Sequence, residues 1–356
     1  MDKAIILCAG RGTRLRPLTF TTAKHLIPIA NKPILFYSLE SIAKTGIRDV
    51  GIVVSPSNRD EFVAIVGNGA RFGLRISYIV QEEPKGLAHA VWVAKDFIGD
   101  DDFLMYLGDN LILEDLKKFV EDFERSDCVA SILLSPVKDP SRFGVAIMEG
   151  ERVLRVVEKP KVPPSNLAIV GLYLFRNKIF EGIVNIKPSW RGELEITDAI
   201  EYLIEKGEKV KGYVIYGWWK DTGKPEDLLE ANRKILMELK EESVEGTVDE
   251  NSVLQGIVRI GKGSKVINSV IRGPVIVGED CFIKDSYVGP YSSIGNGVIL
   301  ESCEIENSIV MDECSVVNLD KRIDSSILGK GVSVRSSKKK PSVMNLILGD
   351  MSSVDL

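Results

Sequence analysis

Gly10-Arg11-Gly12-Thr13-Arg14-Leu15-Arg16-Pro17-Leu18-Thr19, followed by Lys24, Pro28 and Lys32-Pro33, organises the rest of the chain. Just ahead of it, Lys3-Ala4-Ile5-Ile6-Leu7 is a short apolar run. Such a run ending in a glycine-rich turn reads as a buried parallel strand meeting a loop. Gly10 and Gly12 let the backbone approach a ligand closely, and amide groups freed in such a turn can cradle phosphate oxygens. Arg11, Arg14, Arg16 and Lys24 add four cations close to it. The combination suits a polyphosphate. The loop lacks the G-x-x-x-x-G-K-[ST] of a Walker A motif, and Leu15 stands where G-x-G-x-x-G requires a third glycine.

Working outward, 356 residues exceed one typical domain, and 44% hydrophobic content is ample for two cores. A net charge of −5 gives no general attraction to nucleic acid or to anionic membrane, so the cations near the first loop must act locally. Five cysteines without a C-x-x-C pair, and only two histidines, argue against a zinc site. Their odd number and wide spacing fit reduced thiols in a cytoplasmic protein. No signal peptide or membrane span is expected.

From residue 1 to 242, strand-like runs alternate with amphipathic stretches, which predicts an α/β domain with a Rossmann-like, mostly parallel sheet. Gln81 follows a strand, and its amide can donate and accept together, matching the imide edge of a pyrimidine base. Gly86 and Leu87 open the next helix, and His89 on it reads as a packed or surface histidine. Asp109 ends the central strand Phe103–Leu107. It falls where ligands gather in parallel sheets, or it caps the following helix. Gly144 reads as a close-approach glycine, and Glu158-Lys159 as a strand-end pair. The acids of Arg191-Gly192-Glu193-Leu194-Glu195-Ile196-Thr197-Asp198 suit a helix N-terminus. After Glu242, over residues 243–356, Ile/Val pairs recur about every six residues between Gly, Ser, Asn and Asp. This resembles a hexapeptide left-handed parallel β-helix of roughly five coils, with Lys338-Lys339-Lys340 before a closing strand at 344–348.

The first loop resembles, residue for residue, the G-x-G-T-R-L-x-P-L-T signature of the sugar-1-phosphate nucleotidylyltransferases, with Cys8 where a small Ala or Gly is more usual. Four later segments match the same family: Gln81 to Ala90, Glu158-Lys159-Pro160, the strand through Gly171, and Trp219-Lys220-Asp221-Thr222-Gly223. Val170 and Lys224 depart from threonines common there. Together with the β-helix, the layout is most similar to the family's long-form thymidylyltransferase branch. The resemblance implies transfer of a thymidylyl group from dTTP to glucose 1-phosphate, UTP being the alternative donor, with Mg²⁺ held by Asp109 and Asp221. It places Leu7, Ala9, Gly10, Gly12, Thr13, Gln81, Gly86, Leu87 and Asp109 on the nucleotide. Gly144, Glu158, Lys159, Gly171, Glu195 and Trp219 would line the sugar site. Arg14, Lys24 and Lys159 would carry the charge work of catalysis. Neither aspartate is expected in the core. A homo-oligomer is expected, and an acyltransferase site in the β-helix is the rival second activity.

Overall fold

The computed structural model describes residues 1–336; the basic run at 338–340 and the strand expected at 344–348 lie outside them. The chain divides into two compact units between Ala231 and Asn232.

The first unit is built on a nine-stranded sheet. Four strands form its parallel half: β1 (Lys3–Leu7), β2 (Asp49–Val54), β3 (Arg75–Val80) and β4 (Phe103–Leu107), in spatial order β3-β2-β1-β4. β1, β2 and β4 are apolar runs buried between helices, as parallel strands require, while β3 is the edge strand and none of its residues is fully buried. The crossovers are α1 (Ile34–Thr45), α2 (Arg59–Val66), and the consecutive helices α3 (Leu87–Val93) and α4 (Lys95–Ile98). The helix that opens at Leu87 comes in two pieces, separated at Ala94, which has φ −87° and ψ 1°.

Register does the positioning. Leu7 pairs with Val53 and Leu107, and Val54 with Val80. The residues that leave these strands, Cys8 to Gly10, Gln81, and Gly108-Asp109, therefore emerge at one edge.

The rest of the sheet is mixed. β5 (Asn110–Ile112) and α5 (Leu116–Glu124) lead to β6 (Ala130–Pro136), then to the hairpin of β7 (Val145–Glu149) and β8 (Arg152–Val157), and to β9 (Leu167–Phe175). Next come α6 (Ile179–Asn185), α7 (Ile196–Glu205), β10 (Val210–Val214), the short β11 (Trp219–Asp221) and α8 (Pro225–Met237). The order continues β4-β9-β6-β10-β8-β7, with β9 antiparallel to β4 and to β6. Antiparallel pairing is what a short hairpin connection such as that between β7 and β8 enforces. Two apolar layers, centred on Phe103 and Phe175 on one face and on Phe62, Tyr106 and Phe119 on the other, fill the two sides.

The second unit is three stacks of short parallel strands, of six, six and five members. Val258 pairs with Val275 and Val275 with Ser292, so one coil takes seventeen residues here. Ile260, Val266, Ile271, Val277, Ile283, Val288 and Ile294 are buried in turn, five or six residues apart. That inward ladder is the Ile/Val rhythm of the sequence, and it is consistent with a left-handed β-helix. Cys281, Cys303 and Cys314 are buried in the same apolar core without disulfides.

Candidate active site

The centre of the site is made by a two-stranded ribbon. β11 runs antiparallel to β5, with Asp221 opposite Asn110. Asp109 precedes Asn110, so the ribbon brings carboxylates more than a hundred residues apart in sequence to neighbouring positions. The Thr222 hydroxyl and amide both donate to the Asp109 carbonyl, at 2.7 and 3.0 Å. Asn110 then organises the pair. Its Nδ2 donates to Asp109 Oδ1 at 3.0 Å, and its Oδ1 accepts from Trp219 Nε1 at 2.6 Å. Gly171, on β9, makes room for that amide. A Cβ there would stand 2.8 Å from Asn110 Cγ, and its φ of +40° coincides with a break in the β9–β6 register.

Charge at the centre is unevenly shared. Lys24 Nζ binds Asp109 Oδ2. Burial alone would lower the Lys24 pKa, but the Asp109 charge outweighs it and the pKa is raised. Burial likewise opposes ionisation of Asp109; Lys24 prevails and holds its carboxyl well below the usual range. Asp221 has no such partner. Burial, then the Asp109 charge, push it up to about 6, with Lys24 and Arg14 opposing. Its Oδ1 is buried without a hydrogen bond. An orphaned carboxylate oxygen beside a second carboxylate is a donor set that fits a hard divalent cation. Among the described residues no group of three or more His, Cys, Asp or Glu could hold a metal, so phosphate oxygens or water would have to complete the shell. Asp109 and Lys24 side chains are only 14% and 15% exposed, which places Asp109 at the margin of the core and not among its buried residues.

Two cavities flank this centre. One of about 220 Å³ is lined by Leu7, Ala9 and Gly10 from the first loop, Gln81 and Gly86 from the β3–α3 loop, and Lys24 and Asp109. The other, of about 460 Å³, has Arg14, Gly144, Glu158, Lys159, Gly171, Trp219 and Asp221 in its wall. Leu87 and Leu107 line both. Gly12, Thr13 and Glu195 line neither. Gly12 turns the loop at φ +61°, its carbonyl accepting from Thr19 Oγ1 at 2.7 Å, and Thr13 begins the short 3₁₀ turn that follows.

Local backbone explains several of these placements. Gly86 has φ +106°, and a Cβ would come within 2.5 Å of the Leu194 carbonyl oxygen, so only glycine fits. There the loop before α3 is pinned to the segment before α7: the Leu194 amide donates to the Lys85 carbonyl and the Ala88 amide to the Leu194 carbonyl. Lys159 takes the left-handed conformation at φ +39°, rare for a lysine. That break in the extended alternation brings the side chains of Glu158 and Lys159 into one cavity, with Nζ 3.1 Å from Glu158 Oε1. Gly144 is a close approach, as read: a Cβ would lie 2.9 Å from Thr197 Cγ2.

Glu195 sits behind the wall, accepting from Ser189 Oγ at 2.9 Å and Arg191 Nη1 at 3.2 Å. Arg191, which does line the larger cavity, is a residue the sequence reading passed over, as are Arg142, Phe143 and Asn110. Of these only Asn110, adjacent to the strand-end aspartate, carried a local signal. His89 was read as packed or surface; it is half-buried and its Nδ1 lies 2.9 Å from Gln81 Nε2.

The comparisons with known proteins agree with this geometry. The family model described as nucleotidyl transferase matches residues 3–238. A glucose-1-phosphate thymidylyltransferase of Streptomyces griseus is 48% identical over 98% of this chain and 98% of its own length. A low-salt glycan biosynthesis nucleotidyltransferase of Haloferax volcanii is 44% identical over 99% of this chain and all of its own. Among solved structures, a UDP-glucose pyrophosphorylase complexed with UDP-glucose superposes with a TM-score of 0.61 at 28% identity, over 67% of this chain and 100% of that one. Paired cavities around two strand-end carboxylates, and relatives matched end to end, place the chain in the nucleotidyl transferase family.

Proposed function

We propose that the protein joins the thymidylyl group of dTTP to glucose 1-phosphate, giving dTDP-glucose and pyrophosphate. The observation that carries this reading is the pair of adjoining cavities, sharing Leu87 and Leu107, with one aspartate of the central ribbon in each. The names of the full-length relatives support it.

In this reading the smaller cavity takes the nucleotide: Gln81, Gly86 and Leu87 meet the base, while Leu7, Ala9 and Gly10, with the turn made by Gly12 and Thr13, take sugar and phosphates. Glu158 in the larger cavity accepts hydrogen bonds from glucose hydroxyls. Trp219, Gly144 and Gly171 shape the wall, and Glu195 steadies it through Arg191. Lys159 holds the sugar phosphate. One of that phosphate's oxygens attacks the α-phosphorus, a new P–O bond forms, and the bond to pyrophosphate breaks. Arg14 and Lys24 offset the charge that builds on the departing pyrophosphate. Bound Mg²⁺, held by Asp109 and Asp221 with phosphate oxygens, would supply further positive charge there. A sugar phosphate is already ionised, so no general base is needed, and positioning and charge neutralisation carry the rate.

UTP is the second reading for the donor, favoured by the fold's likeness to a structure holding UDP-glucose. The five unpaired cysteines support the expectation of a reducing, cytoplasmic setting, and a homo-oligomer remains part of the proposal. No helix among the described residues is long and apolar enough to cross a membrane. Pyrophosphate release from dTTP, UTP, dCTP, ATP and GTP with glucose 1-phosphate tests the proposal. dTTP and UTP should turn over well and the purine nucleotides poorly; GTP or ATP as the best donor would overturn it.

A further inference from the structure

Gln81 is buried in the wall of the smaller cavity, and its amide is not free to turn. Nε2 lies 3.3 Å from the Gly86 carbonyl oxygen and 2.9 Å from His89 Nδ1. A carbonyl oxygen only accepts, so the nitrogen end of the amide must face Gly86. Both N–H bonds of Nε2 are then committed, and the His89 nitrogen that meets it has to be an acceptor. That fixes the tautomer: the proton of a neutral His89 sits on Nε2, and the Nδ1 lone pair faces Gln81. Burial pushes the His89 pKa below 6.5, with Lys85 adding to the effect and Glu83 opposing it, so the ring is neutral at pH 7 and above. Among the described residues no protein donor reaches Gln81 Oε1.

We propose that His89 is a specificity-determining positioning residue for the nucleotide base: its Nδ1, with the Gly86 carbonyl, holds the Gln81 amide so that Oε1 is presented to the cavity as an acceptor. The inference rests on the reading of this cavity as the base site. An acceptor in that place selects a base with a donor at N3. Thymine and uracil carry N3–H; cytosine carries a lone pair there, which Oε1 would repel. An amide that by its chemistry can donate and accept together is thereby reduced to accepting, and a histidine outside the chemistry does the selecting. A buried polar group left facing its like is what makes such a site reject the wrong base strongly.

The test compares the wild-type protein with H89L and H89Q, measuring kcat and KM for dTTP and dCTP at saturating glucose 1-phosphate. H89L removes the acceptor. Its KM for dTTP should rise, kcat should stay within about threefold, and the dTTP-over-dCTP ratio of kcat/KM should fall by about tenfold or more. H89Q offers an amide oxygen to the same Nε2 and should recover most of the discrimination. A merely structural histidine would not produce that split, nor its rescue. Discrimination unchanged within about twofold in H89L would overturn the inference, while wild-type turnover of dTTP would leave the nucleotidyl-transfer reading standing. Should H89L fail to fold, the wild-type protein still decides: with only two histidines in the chain, ¹⁵N spectra assign the rings readily. At neutral pH the Nδ1 of His89 should be the unprotonated nitrogen, and an Nδ1–H tautomer would contradict the proposal.

Discussion

Asp109 and Asp221 are brought together by the ribbon but stand in opposite electrostatic states, and replacing them should have opposite effects on the fold. Asp109 is neutralised by Lys24, so D109N strands a buried ammonium. The cost is about 3–5 kcal/mol, readable as a lowered midpoint in chemical denaturation. Asp221 is pushed up to about 6, chiefly by burial, so the folded protein holds its proton more tightly than the unfolded chain does. By linkage its contribution grows more favourable as pH falls through about 6 toward the ordinary carboxylate value, and at pH 7 its charge opposes folding. Metal-free D221N should therefore melt roughly 2–6 °C above the wild type at pH 7. It should also lose about a hundredfold or more in kcat, as removal of one electrostatic contributor commonly does. A lower melting point, or near-native turnover at saturating Mg²⁺, would refute the account of this residue.

At the scale of elements, the site depends on close approaches that only glycine allows. Gly171→Ala would drive a Cβ into the Asn110 amide, which holds both Asp109 and Trp219, from a backbone at φ +40°. The expected outcome is about 1–3 kcal/mol of lost stability together with at least a tenfold drop in kcat/KM. Kinetics within twofold of wild type would show that Asn110 can move aside harmlessly. The strand-to-loop layout was legible from the apolar runs and the turn residues after them, since a buried parallel strand must be continuous and a phosphate loop must be glycine-rich. So were Gly144 as a close approach and Cys8 as a small buried residue, now fully covered. The antiparallel insertion of β9 was not legible. Strand direction is decided by which edge is free to pair, and no residue in Leu167–Phe175 encodes that. Arg191 and Arg142 were missed for a similar reason: a lone arginine in a loop looks solvated until distant segments close around it. His89 is packed, as one of its two readings had it, but its contact with Gln81 was not legible, because that partner lies across a turn and the sign of a hydrogen bond is not written in residue spacing.

For the molecule as a whole, the second unit poses the question of a second activity. Bifunctional relatives occur, among them a Methanocaldococcus jannaschii protein 38% identical over 92% of this chain. Here both histidines, His25 and His89, fall in the first unit, so the β-helix has none to serve as a general base. The repeat unit should thus play a structural role and release no CoA from acetyl-CoA with amino-sugar phosphates; CoA release that is abolished by deleting residues 246–356 would overturn that role. If the two cavities hold the two substrates of one reaction, ³¹P NMR of dTTP, glucose 1-phosphate and Mg²⁺ incubated with the full chain will show it. The triphosphate and sugar-phosphate signals should decay together, replaced by free pyrophosphate and two coupled phosphorus resonances of a sugar nucleoside diphosphate. dTTP breakdown to dTMP with the glucose 1-phosphate signal unchanged would contradict it.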